Sequence, residues 1–398
     1  MKKIAIIGGG AAGFFGAINT AIKHPDYSIT IFEKSNQLLS KVKVSGGGRC
    51  NVTHACFDPE KLISFYPRGG TELLPLFKKF NPKNTVDWFE KKSVKLKTEP
   101  DGRMFPVTNS SQTIIDCLLN EVKKNNIVVK THHALTSITK NEKWNLIFNN
   151  GDKQDFDAVL IATGSNESIW NLLRDLNHTI LKPVPSLFTF QIKDQRIDAL
   201  MGLSVPDATV QLKNRETKTN GPLLITHWGM SGPAVLKSSA WEAVYLSEKN
   251  YQTEVIINFT GKPRDEIRKQ LSVLRDAEAK KLAGNTSQFG LPSRLWKQLT
   301  DYLQITDRKW AGLGNKDLDK LADELCAGIY QMNGKTTFKE EFVTCGGVSL
   351  DEINLQTMES KIHNGLFFAG ETLNIDAVTG GFNFQAAWTT SWVASENI

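Results

Sequence analysis

The chain is poor in cysteine and has none of it paired: Cys50, Cys56, Cys117, Cys326 and Cys345 are odd in number and contain no Cys-x-x-Cys spacing. That argues against a disulfide framework, a structural zinc site and a thioredoxin-like redox pair, so free thiols and no metal centre are expected. No apolar run reaches the 18 residues a membrane-spanning helix needs. The short run after Met1-Lys2-Lys3 stops at Gly8 with no small-residue cleavage pattern, and it reads as the first strand of a cytoplasmic protein. A Gly-x-Ser-x-Gly elbow, a His-Glu-x-x-His pair and a P-loop are all missing, which leaves hydrolase and nucleotide-hydrolysing readings without support. Long blocks of one charge are missing too. The net charge of +6 is spread over pairs such as Lys78-Lys79, Lys91-Lys92, Lys123-Lys124 and Lys280-Lys281. These read as solvated faces, with RNA left open as a partner if they cluster on one surface.

What is present begins at the first residues. Lys3-Ile-Ala-Ile-Ile7 is an apolar run that enters Gly8-Gly-Gly10-Ala-Ala12-Gly13 and then an Ala-rich, helix-permissive stretch to His24. Strand, tight turn and helix in that order form a Rossmann unit. Gly8 makes the turn, Gly10 admits a pyrophosphate to the backbone, and Gly13 lets the helix pack close to the strand. The apolar run Ser28–Phe32 then ends at Glu33, followed by Lys34, at the distance where a carboxylate accepts from an adenosine ribose. This fingerprint does not separate NAD from FAD.

The last fifty residues separate them. Gly365-Leu-Phe-Phe-Ala-Gly370-Glu371 is an apolar strand with a turn, and Thr379-Gly380-Gly381-Phe382-Asn383 leads into a helix-compatible stretch to Ala394. A second helix N-terminus beside a flavin pyrimidine would stabilise the anionic reduced ring. Asp376 suits a ribityl or phosphate-side hydroxyl, and Gly380 and Gly381 permit close backbone approach. FAD, which extends past the first half of the fold and must be gripped at its ring end, is the expected cofactor.

Several longer motifs follow one another: Lys43-Val-Ser-Gly-Gly47-Gly-Arg49-Cys50-Asn51, Gly102-Arg103-Met-Phe-Pro106, Thr226-His227-Trp-Gly-Met-Ser-Gly-Pro233, Cys345-Gly-Gly347 and Thr357-Met-Glu-Ser-Lys361. In these the chain resembles the bacterial NAD(P)/FAD-dependent oxidoreductases of the YhiN and BaiN type, catalogued as aminoacetone-oxidase-like FAD-binding proteins. It departs from them at Asp376-Ala377 and Thr390-Ser391, where the family has Asp-Gly and Thr-Gly. The resemblance implies that FAD contacts extend to Gly47, Arg49, Asn51 and the backbone near Leu135. It also implies contacts at Thr163 and Gly164, which end the apolar run from Asp157.

The expected class is α/β: a discontinuous Rossmann-like FAD-binding domain (1–186 and 346–398) with an inserted β-rich substrate domain (187–260 and 330–345) carrying a small helical subdomain (261–329). Strands are expected over 187–192, 208–212, 221–226, 253–259 and 338–344. Helices are expected over 71–92, 113–125, 264–281, 294–303 and 316–329. No second glycine fingerprint occurs, so NADH or NADPH, as reductant, would dock transiently at the flavin.

The expected reaction is hydride transfer from the flavin to a C=C bond conjugated to a carbonyl in a small-molecule substrate. Two alternatives are the same chemistry on a pyrimidine ring of RNA, and amine oxidation by O2. His227 is the candidate acid, since an imidazole titrates near neutrality. Cys50 and Arg103 are further candidates: Cys50 as a thiol in the glycine loop, either catalytic or structural, and Arg103 as an anchor for an anionic group or, equally, for its own loop. The sequence sets neither the nicotinamide nor the oligomeric state.

Overall fold

A computed structural model describes residues 1–336 and 343–398. Packing divides the chain into two units, Met1–Val184 with Lys339–Ile398, and Pro185–Phe338.

The first unit is built on a seven-stranded sheet, in the order Ile353–Asn354, Glu359–Ser360, Leu366–Phe368, Ala158–Ile161, Lys3–Ile7, Ser28–Phe32, Val128–Lys130. The last five strands are parallel, with Ile4 opposite both Ala158 and Ile29, and Val159 opposite Leu366. Strands covered on both faces read as continuous apolar runs, which is why Ile4–Ile7 and Ala158–Ile161 are buried throughout. Helix Ala11–Lys23 follows the first strand, and helix Phe382–Ser395 follows the last. The two helices pack together, with the Phe15 and Trp388 rings 5.2 Å apart.

The helix Phe382–Ser395 is buried on nearly all sides, although it carries Gln385, Thr389, Thr390 and Ser391. Each polar group has a partner, as burial requires. The Gln385 carbonyl accepts from Thr53 (2.6 Å) and Thr85 (2.9 Å), its amide donates to Thr389, and Thr389 donates to the Phe80 carbonyl. Thr390 and Ser391 donate to carbonyls one turn back. A polar ladder therefore fixes the rotation of this helix, which an apolar stripe would otherwise set.

One local expectation changes here. The helix expected over 71–92 is two helices, Gly70–Phe77 and Pro82–Glu90, because Asn81 caps the second and Pro82 occupies its first turn. The strand Leu135–Lys140 belongs to an antiparallel sheet with Trp144–Phe148 and Lys153–Phe156. The alternation Trp144, Leu146, Phe148 is the period-2 signal for the second strand.

A Ser-His-Glu chain lies in this unit. His178 Nδ1 is 3.0 Å from Glu352 and its Nε2 is 3.1 Å from Ser360 Oγ. It is structural. Ser360 is 4% exposed, and its oxygen already accepts from the amides of Ile362 and His363. Burial holds the His178 imidazole below its ordinary pKa against the pull of Glu352, so the neutral ring donates to the carboxylate and accepts from the hydroxyl.

The second unit is a closed barrel, in the order Thr189–Ile192, Gly229–Ser231, Lys218–Thr226, Ser204–Leu212, Gln252–Asn258, Gly328–Thr336. Helices Arg264–Ala277, Ser293–Tyr302 and Asn315–Ala327 send Leu271, Trp296 and Leu321 into the same apolar core as the barrel residues Val210, Ile225 and Ile257. The first of these helices stops at Ala277, short of the expected 281. Within this core Arg196 is 5% exposed and held by Asp194, Glu324 and the Ile329 carbonyl, with its guanidinium 3.8 Å from the Tyr330 ring centre. Of the strand expected over 338–344, residues 338–342 lie outside the described residues, and a strand occupies Val343–Val348.

Candidate functional site

Gly8, at the end of the first strand, has φ +115, and a Cβ there would lie 2.4 Å from the Ala162 carbonyl oxygen. A Cβ on Gly13 would lie 1.9 Å from the Gly8 carbonyl oxygen, whereas one on Gly10 would meet nothing within 4 Å. The turn therefore packs its strand against its helix and leaves open space at Gly10. No side chain caps the helix, so its first-turn amides face that space, an arrangement suited to phosphate. Ala12 is buried and lies against Gly370, whose amide donates to Thr390 of the C-terminal helix.

Glu33 is held in place from two sides. One carboxylate oxygen accepts from the Gly9 amide at 2.8 Å and the other from the amide and hydroxyl of Ser35. Lys34 beside it is exposed. The His133 amide donates to the Glu33 carbonyl, which brings the segment leading to Leu135 alongside the end of the second strand. Thr163 and Gly164 continue from Ala162 past Gly8, and Glu371 approaches Gly164. Glu371 is paired with Lys41.

The loop Gly46–Asn51 reaches the second helix N-terminus. Gly46, Gly47 and Gly48 all have positive φ, the conformation that favours glycine. With its amide oriented to satisfy both ends, Asn51 accepts from the Gly381 amide at 2.9 Å and donates to the Thr53 carbonyl at 3.0 Å. Gly381 caps the helix with φ +89, and a Cβ there would strike the Thr53 carbonyl at 2.5 Å. Gly380 packs under the Phe382 ring. That ring stacks on Phe65 (4.2 Å) and His54 (4.6 Å), whose own rings are 5.7 Å apart, so the three form a triangular cluster. Asn383 closes the loop before it with two 3.0 Å bonds to the Ala377 backbone.

Several expected site residues have other occupations. Asp376, expected at a ribityl or phosphate-side hydroxyl, is fully buried and is gripped by Arg68 through two hydrogen bonds, so its charge is matched inside the protein. Arg103 holds its own hairpin through Asp101 (2.7 Å) and Glu99 (3.3 Å). Arg49 binds Glu99 at 2.6 Å and lies over the Phe105 ring. Cys50 is wholly buried, and burial pushes its thiol up to about 12 against one opposing bond from Ser45. It is therefore not a thiolate nucleophile near neutrality. His227 is exposed on a turn of the second unit, its ring 4.5 Å from that of Trp228.

Sequence reasoning missed Lys41, His54, Phe65 and Arg68. The first two flank the glycine loop, where a cation and an imidazole next to positive-φ glycines were the available signal. Phe65 and Arg68 meet the site only through the fold.

Cys50, Cys117, Cys326 and Cys345 are at most 8% exposed, and Cys56 is partly exposed. Burial also raises Cys117 and Cys345 to about 11. A thiol-reactive dye at pH 8 is expected to label Cys56 alone in the native protein and all five cysteines after denaturation. Rapid native labelling of Cys50, located by peptide mapping, would contradict this burial.

Comparison with known proteins agrees with this architecture. The model of the HI0933-like protein Rossmann domain matches residues 2–397. The ribosomal RNA dihydrouridine synthase of Escherichia coli (strain K12) is 26% identical over 404 residues, covering 99% of this chain and 97% of that protein. The 3-dehydro-bile acid delta(4,6)-reductase of Clostridium scindens is 26% identical over 418 residues, covering 99% and 98%. In fold, the chain is similar to the 3-ketosteroid delta1-dehydrogenase of Sterolibacterium denitrificans, with a TM-score of 0.52 at 11% identity, covering 100% of this chain and 99% of that one. With its Rossmann-type FAD-binding fold, the chain belongs to the HI0933-like family.

Proposed function

We propose that this protein is an FAD-dependent oxidoreductase that reduces a C=C bond conjugated to a carbonyl, with NADH or NADPH as the source of electrons. The observation that carries the reading is that residues over 300 positions apart meet on one sheet. Helix Ala11–Lys23 begins just after strand Lys3–Ile7, and the middle of helix Phe382–Ser395 lies at the end of strand Leu366–Phe368, where the Gly370 amide donates to Thr390. The residues fit FAD on two counts: the Gly10 cradle would be filled by a Cβ, and Glu33 presents a carboxylate at its edge.

When bound, FAD supplies a hydride to the carbon β to the carbonyl, and a proton at the α carbon completes the reduction. The chain's own groups bind and orient. Amides at Gly10 to Gly13 would hold the diphosphate. The start of helix Phe382–Ser395 would place positive partial charge by the ring end, where Asn51 fixes its entry. The Phe65, Phe382 and His54 rings would give that side an apolar wall. Burial keeps His54 below its ordinary pKa, against the opposing pull of the Asp101 carbonyl, so it is neutral at physiological pH. His227 is kept as the proposed proton donor on its chemistry alone.

Two relatives support the reaction class, since one is named as a dihydrouridine synthase and the other as a delta(4,6)-reductase. The dihydrouridine synthase relatives and the excess of basic residues favour a second reading of the substrate, a uracil ring in structured RNA. Anaerobic titration of the purified protein with NADH and with NADPH is expected to bleach the flavin with at least one of them. Reoxidation should then be tested with a steroid enone and with uridine-containing ribosomal RNA. Bleaching by primary amines and by neither nicotinamide would instead indicate an O2-using amine oxidase.

A further inference from the structure

We infer that Lys41 is the cation that makes the carboxylate of Glu371 compatible with the cofactor's diphosphate, and that the Lys41–Glu371 pair is a latch across the phosphate cradle. The inference rests on the FAD reading above and adds a residue to it.

The geometry comes from both ends of the chain. Leu39 donates its amide to the Gly9 carbonyl at 2.9 Å, and Leu38 packs against Gly9, so the segment carrying Lys41 is fastened to the glycine turn. Glu371 follows Gly370, which lies against Ala12 one residue beyond the other side of the turn, and its carboxylate also approaches Gly164. The ion pair thus joins the two flanks of the turn whose centre, Gly10, faces open space. A diphosphate bound at the amides of that turn would lie near Glu371 as well.

Charge then decides what Lys41 must do. Two anions brought together in a partly buried cleft repel, and Glu371 is only 18% exposed. A lysine ammonium has three donors and can serve a carboxylate and a phosphate oxygen at once. Lys41 is 53% exposed and sits on a flexible four-carbon stem, so it can turn toward a phosphate without moving the backbone. No other cation is recorded at Glu371 among the described residues.

The test is fluorescence titration of apoprotein with FAD, on the parent, Lys41→Gln, Glu371→Gln and the double variant, with circular dichroism and melting as controls on folding. Loss of one charge-assisted contact is expected to weaken FAD binding roughly tenfold or more in Lys41→Gln. Lys41→Arg should restore most of it. In the double variant the loss relative to Glu371→Gln should be several-fold smaller, because the repulsion that Lys41 offsets is gone. FAD release from the parent should quicken with added salt, and release from Lys41→Gln should respond less. Equal losses in both backgrounds, or no loss with Lys41→Gln, would overturn the latch. A correctly folded parent that fails to take up FAD would refute the underlying cofactor reading instead.

Discussion

Gly10→Ala and Gly13→Ala are expected to lose FAD for different reasons, and melting experiments tell them apart. At Gly13 the new methyl would sit 1.9 Å from the Gly8 carbonyl oxygen. Neither group is a side chain that can swing away, so the helix must retreat from the strand. Overpacking of this kind costs ~1–3 kcal/mol of stability, and the displaced amides no longer present a phosphate site. At Gly10 the methyl would meet nothing in the protein. The helix and strand keep their contacts, and the methyl occupies the space proposed for the diphosphate. Gly10→Ala should therefore melt with the parent and bind FAD roughly 100-fold more weakly, as about 2.7 kcal/mol of lost interaction implies. Gly13→Ala should be deficient in both. A Gly10→Ala protein that stays yellow after dialysis would remove the turn from the cofactor site.

Arg196→Leu is expected to unfold the second unit at markedly lower urea, by roughly 3–5 kcal/mol, because breaking a buried ion cluster from one side strands the opposite charges. Burial already raises the Glu324 carboxyl despite Arg196 beside it. Burial opposes ionisation of Asp194 too, but the hydrogen bonds from Arg196 win and hold it below its ordinary value. Without the guanidinium both acids would titrate above their unfolded values. Stability linked to such a group is present at low pH and is lost as pH rises through the folded value. The deficit of Arg196→Leu, measured by urea midpoints, should accordingly be larger at pH 8 than at pH 5. A deficit that does not depend on pH would mean that the cluster is not held by charge.

The two ends of the cofactor half were legible because their signals are local. A strand that runs into glycines and then into a helix is written in contiguous residues at Lys3–Gly13, and again at Gly365–Asn383. What stayed hidden depends on residues far apart in the chain. Asp376 read as a partner for a ribityl or phosphate-side hydroxyl because its partner in the fold, Arg68, precedes it by 308 positions. Arg103 read equally as an anchor for an anionic group and as an anchor for its own loop, and Asp101 two residues away and Glu99 four residues away hold it in that loop. Lys41 carried no periodicity to mark it among 48 basic residues. The helix expected over 71–92 hid a break that Asn81-Pro82 announces, and here the local capping signal was read too coarsely.

The interrupted sheet has a consequence for how the protein is made. Strand Ala158–Ile161 pairs with Lys3–Ile7 on one side and with Leu366–Phe368 on the other. During translation that second edge stays bare while some two hundred further residues leave the ribosome, and an unpaired apolar strand edge invites misassociation. Helix Phe382–Ser395 emerges later still. A site built from both ends of the chain is therefore incomplete until that last helix has emerged.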